Sequence, residues 1–182
     1  MRPAISRTSL LAVLALIVLV SPARAQDLSI AAFFGTFKGG GVAENRDSIY
    51  FGVTVRDFDV SIRPAGNGFS VEWATIIRKG GDPNNPTVRR KTQTATFVAT
   101  GQPGVYRATD HADPLSGGRY AWARLEGSTL MVYIMTIDAK GRYSIQSYSR
   151  TLHPSGMDFV FQRIRDGDEL RTVKGKLIKY AQ

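Results

Sequence analysis

Cysteine is absent from this 182-residue chain, and histidine occurs only twice. Without cysteine there is no disulfide staple, no thiol nucleophile and no lipid-attachment thiol, so a core of side chains must hold the domain alone. The two histidines, His111 and His153, have no neighbouring serine–acid pattern, and the G-x-S-x-G elbow does not occur. Histidine and carboxylates cluster only in Asp110-His111-Ala112-Asp113. A metal site needs three or four protein ligands, so that segment reads as a polar loop tip rather than a metal or catalytic centre. Asp166-Gly167-Asp168-Glu169 lacks EF-hand spacing, and Asp-Gly fits a hairpin turn. No metal is expected, and an enzyme built around the Asp110–Asp113 loop ranks last of three functional readings.

Long apolar runs are equally scarce. The one such run, LLAVLALIVLV from Leu10 to Val20, is too short for a membrane core that needs about 20 residues. It follows Arg2 and Arg7 and precedes Ala23-Arg24-Ala25, which is the layout of a signal peptide over 1–25. An uncleaved anchor is the alternative. Export, to a bacterial periplasm, leaves a single domain over 26–182. Without Arg2, Arg7 and Arg24 the basic count falls from 24 to 21 against 15 acids, a net charge of +6. The bases are scattered, so with export nucleic acid is not a partner; a solvated surface, anionic lipid or an acidic partner are the options.

What the chain has is strands. Segments 36–44, 48–63, 68–79, 87–100, 104–109, 119–125, 129–138, 142–152, 157–165 and 169–180 read as β, separated by turn signals such as AGNG, GQPG, EGS and HPSG. A short turn of helix fits 28–34. This pattern predicts an all-β fold, a single antiparallel up-and-down barrel of about 8–10 strands, with a two-sheet sandwich as the alternative. In the second strand Ile49, Phe51, Val53 and Val55 alternate, then Phe58, Val60 and Ile62 continue on the other parity. That predicts a β-bulge at Arg56-Asp57.

FFGTFKGGGVAE, Phe33 to Glu44, carries four of the eighteen glycines. Neither G-x-x-x-x-G-K-[ST] nor G-x-G-x-x-G fits, and no helix follows, so it does not cradle phosphate. Gly39 and Gly41 share one strand face, where missing side chains permit a sharp bend or a close backbone. Gly35-Thr36-Phe37 resembles the G-x-W opening strand of the calycin barrels, the lipocalins and fatty-acid-binding proteins. The run from Gly35 to Gly41 is similar to the G-T-W-x-G-x-G start of nitrobindin-type ten-stranded barrels, with Phe37 in place of tryptophan. The resemblance implies that Gly35 and Phe37 close one end of the barrel beneath an arginine from a late strand, Arg163 or Arg165. Nitrobindin-type barrels hold haem through a late-strand histidine. His111 falls in a loop and His153 in a turn, so no cofactor is expected.

The late hairpins allow a register. Asp138-Ala-Lys-Gly-Arg142 reads as a three-residue loop, pairing Val132 with Tyr148 and Ile134 with Gln146. A four-residue HPSG loop then pairs Tyr148 with Phe161 and Arg150 with Phe159. One face carries Val132, Ile134, Gln146, Tyr148, Arg150, Phe159, Phe161 and Arg163; the other carries Met131, Tyr133, Met135 and Ile145. Both are apolar, so pattern alone leaves the inner face open. The resemblance turns the Tyr148 face inward, because Arg163 shares its parity. The expectation is a small hydrophobic or amphipathic ligand against Val132, Ile134, Phe159 and Phe161, with Gln146, Tyr148 and Arg150 as its polar end. For Arg150 the alternative is a guanidinium reaching water at the strand end. An outward Met/Tyr face is what a homodimer, a protein partner or a membrane surface would cover.

Overall fold

The computed structural model describes residues 28–45, 53–82 and 84–181. The expected export segment lies outside them, as do Ile49 and Phe51. A 3-10 turn, Ile30–Phe33, leads into ten strands: β1 Gly35–Asn45, β2 Val53–Ala65, β3 Gly68–Arg78, β4 Val88–Ala99, β5 Val105–Ala108, β6 Arg119–Glu126, β7 Thr129–Ile137, β8 Tyr143–His153, β9 Gly156–Arg165 and β10 Asp168–Ala181. Each pairs antiparallel with the next, and β10 returns to β1, so the sheet closes into one barrel and the sandwich is excluded.

Local chemistry accounts for the hairpins. Asp138 takes its backbone N–H to the Arg142 carbonyl at 3.0 Å, and Gly141 supplies φ 77°. Asp166 and Gly167 turn β9 into β10 with φ 49° and 90°, the two positive values a type I′ turn demands. In β7, β8 and β9 the pairs Val132–Tyr148, Ile134–Gln146, Tyr148–Phe161 and Arg150–Phe159 lie opposite each other, in the register the loop lengths imply.

The glycines of β1 serve close approach. A Cβ on Gly39 would run into the Lys176 carbonyl of β10, and one on Gly41 into the Lys174 carbonyl. Only bare backbone lets β1 and β10 bend together and complete the closure. Beneath that seam the lower half of the barrel is filled. Phe33, Phe37, Phe69, Phe97, Leu130, Met157 and Leu177 are buried there. Phe69 stacks on Phe97 at 5.0 Å while Tyr106 meets its edge at 5.2 Å, both favoured aromatic geometries.

Two expectations fail here. β2 carries no bulge at Arg56-Asp57; its pairing with β1 runs unbroken from Gly35–Ile62 to Glu44–Val53. Val55 therefore faces out, 44% exposed, directly opposite Val42, which is 42% exposed. That cross-strand apolar pair makes the outer position tolerable, and it turns Arg56 inward. The second concerns closure. Phe37 does plug the filled end, but Arg163 and Arg165 lie at the opposite end, opposite Gln146 and Ser144. The cation over the Phe37 ring is Lys179 of β10, at 6.0 Å.

Candidate functional site

Above the filled half the lumen opens into a cavity of about 300 Å³. Its floor is aromatic: Phe58 from β2, Trp73 from β3, Tyr148 from β8, Phe159 and Phe161 from β9. These rings contact one another, Phe58 to Phe159 at 5.1 Å, Trp73 to Tyr148 at 5.1 Å and Tyr148 to Phe161 at 4.9 Å. Period-2 alternation puts them together, because each sits on its strand's inward parity. The Tyr148 hydroxyl donates to Gln146 Oε1 at 2.9 Å, which fixes the ring's tilt. Burial pushes the Tyr148 phenol up, partly opposed by the nearby Arg150 charge.

The upper wall is basic. Arg56, Arg89, Lys91, Arg163 and Arg171 line it with Gln93, Gln146 and Thr75. Arg163 Nε donates to Ser144 Oγ at 3.4 Å. An apolar base with a few convergent polar groups is the ordinary form of a small-molecule site.

The residues singled out from sequence divide between wall and core. Gln146, Tyr148, Phe159, Phe161 and Arg163 line the cavity. Val132 and Ile134 face inward but lie in the packed core, off the wall. Arg150 is neither at the polar end of the cavity nor in water. It is fully buried, and among the described residues none of its three guanidinium nitrogens has a hydrogen-bond partner. Its Cζ sits 5.5 Å from the Tyr148 ring, 5.7 Å from Phe159 and 5.8 Å from Trp73. The charge is held by aromatic faces in place of hydrogen bonds. Desolvation lowers its pKa to about 10, so it stays protonated at neutral pH. The floor of the cavity is its ceiling.

Arg56, Phe58, Trp73, Arg89, Lys91 and Arg171 were not anticipated. A signal existed on β4: Arg89, Lys91 and Gln93 share the parity of Ala95 and Phe97, which are buried. Tracing that parity back from Phe97 leads to the basic wall.

Elsewhere the candidates are spent on structure. Asp113 caps the 3-10 turn Pro114–Ser116 by accepting from the Leu115 N–H, and Asp110 ion-pairs with Arg119. His111 Nδ1 lies 2.9 Å from the Ala108 carbonyl. His153 ends β8 on the outward parity, 3.8 Å from Asp158. No group of three potential metal-ligating side chains occurs among the described residues. On the outer face Tyr133 stacks on Trp122 at 4.9 Å and donates to the Met131 sulfur at 3.1 Å, so Met131, Tyr133 and Met135 are half-buried rather than bare.

The fold and cavity define the class: a closed ten-stranded antiparallel barrel with a partly open lumen. No protein-family model matches the chain, and no curated protein matches it. Among solved structures it is similar to the S-type phycobiliprotein lyase CPES from Guillardia theta, at 8% identity and TM-score 0.38, over 84% of this chain and 91% of that one. At that identity the likeness does not reach the chemistry of the interior.

Proposed function

We propose that this chain is an exported, calycin-type barrel that binds a small amphipathic molecule without transforming it. One observation carries the reading: the lumen is packed solid below Arg150 yet leaves about 300 Å³ free above an aromatic floor. A barrel with a purely structural interior has no need of five aromatic rings facing an unfilled space, whereas a ligand's apolar part gains by covering them. The Asp110–Asp113 loop spends its polar groups on structure, Asp113 on the 3-10 turn, Asp110 on Arg119 and His111 on the Ala108 carbonyl, which is why a binding role is preferred over catalysis. The export segment and the G-T-F opening support the compartment and the kinship.

Mass spectrometry of the protein purified natively from its own periplasm tests this directly. A co-purifying amphipathic molecule, lost in Phe161→Ala, is the expected result. An empty barrel with a protein partner retained would favour a second reading, docking at the shallow outer groove beside Tyr120, Trp122 and Met135.

A further inference from the structure

The outer surface along the β10–β1 seam departs from an ordinary solvated strand face. Val173 and Leu177 of β10 are buried inside the barrel, so alternation turns Lys174, Lys176, Ile178 and Tyr180 outward. Ile178 is 62% and Tyr180 69% exposed, more than any other large hydrophobic side chain in the described strands. Val42, exposed on β1 opposite Lys174, extends the apolar part toward Val55.

Cations are interleaved with these side chains. Lys174 lies between Val42 and Val160, Lys176 between Gly40 and Asp158, and Ile178 between Lys38 and Gly156. Lys38 Nζ sits 4.6 Å from the centre of the Tyr180 ring. Lys38, Lys174 and Lys176 form no ion pair among the described residues. The acids of β2 are engaged elsewhere, Asp59 with Arg90 at 2.7 Å and Asp57 with Arg78 at 3.0 Å. Asp158 flanks Lys176 but lies 3.8 Å from His153, and Glu44 opposes Thr172 at the edge of the patch. A Cβ on Gly40 would meet nothing nearer than 3.5 Å, so closure does not demand glycine there as it does at Gly39 and Gly41. Its bareness leaves Lys176 uncovered from that side.

We infer that this face docks on the surface of an anionic phospholipid bilayer, with Ile178 and Tyr180 entering the interface and Lys38, Lys174 and Lys176 reaching head-group phosphates. The inference stands apart from the cavity reading, since these five residues do not line the lumen. Charge complementarity selects the partner. Protein interfaces are depleted in lysine, whereas anionic membrane surfaces attract it. Tyrosine settles at head-group depth, its ring in the apolar layer and its hydroxyl in water. Alternate residues of a strand stand in a line about 7 Å apart, which a flat surface can meet together. Flexible lysine stems then pack beside Ile178 while their ammonium groups spread over the head groups.

Vesicle flotation of the chain over 26–182, which holds all ten strands without the export run, tests this. Binding to vesicles of equal parts phosphatidylglycerol and phosphatidylcholine should exceed binding to pure phosphatidylcholine by at least about tenfold, and should weaken as salt rises. K174Q/K176Q should lose about tenfold or more on the anionic vesicles. I178S/Y180S should lose a comparable amount, because the apolar anchors are gone. All four side chains are exposed, so both variants should keep the wild-type urea midpoint. K79Q/K140Q removes the same charge from exposed turns off this face and should bind as wild type does. Excess soluble glycerol phosphate should not displace the chain. Failure to bind, equal binding to the two vesicle types, equal loss in K79Q/K140Q, or displacement by glycerol phosphate would each overturn the bilayer inference. None of these outcomes bears on a co-purifying ligand, which tests the cavity reading separately.

Discussion

At one end of the barrel Phe33, Phe37, Phe97, Met157 and Leu177 fill the lumen, each no more than 1% exposed. At the other end the same inward parity carries Arg56, Arg89, Lys91, Arg163 and Arg171 around open space. Arg150 stands between these regions and shows what separates them. Buried and without a hydrogen-bond partner among the described residues, it belongs energetically to the filled half, whereas Arg56, Arg163 and Arg171 are half-buried and Arg89 and Lys91 exposed. Interior position alone does not make an arginine a ligand-binding residue; the side chain must also reach the free volume.

The largest effect should come from the filled end. Phe37→Ala removes the plug and should cost about 3–5 kcal/mol in urea unfolding; a loss below about 1 kcal/mol would mean the neighbouring rings close the gap. Next comes the layer between. Arg150→Met discards a buried charge while keeping most of its volume and should stabilise the fold by about 1–4 kcal/mol. A net loss instead would show that the three ring contacts outweigh desolvation. Because the folded-state pKa is lowered to about 10, the unfolded chain binds that proton more tightly. The handicap is thus complete below pH 10 and shrinks as pH rises beyond it, so the difference between wild type and R150M should narrow there.

At the mouth the effects are smaller, because solvent screens these charges. There R89Q/K91Q should shift stability in urea unfolding by no more than about 1 kcal/mol. A larger loss would mean that these two bases of β4 anchor the wall as well as line it. Smallest of all is Arg90→Gln on the outer face, expected within about 0.5 kcal/mol of wild type in the same unfolding assay. A larger loss would mean that the Arg90–Asp59 pair helps hold β2 and β4 against β3.

Much of this architecture was legible before any coordinates. Ten strands, their turns and the pairing of β7, β8 and β9 followed from hairpin loops, since a loop of known length sets the register on both sides of it. The glycines of FFGTFKGGGVAE could be read as a bend or a close approach for the same local reason. Parity also correctly grouped Tyr148, Gln146, Phe159 and Phe161. It misjudged β2, where Val42 on β1 covers Val55 and removes the need for a bulge, a compensation invisible within either strand alone.

Local sequence therefore determined the strands, the hairpins and which side chains share a face, because each depends on residues a few positions apart. Height within the barrel was another matter. Whether Arg163 meets Phe37 or the opposite rim, whether Arg150 touches free volume, and whether bases from four strands converge depend on stagger accumulated around the whole sheet. Only the closure of β10 on β1 decides that stagger, and with it the filled end, the open end and the sign of the charge at the mouth.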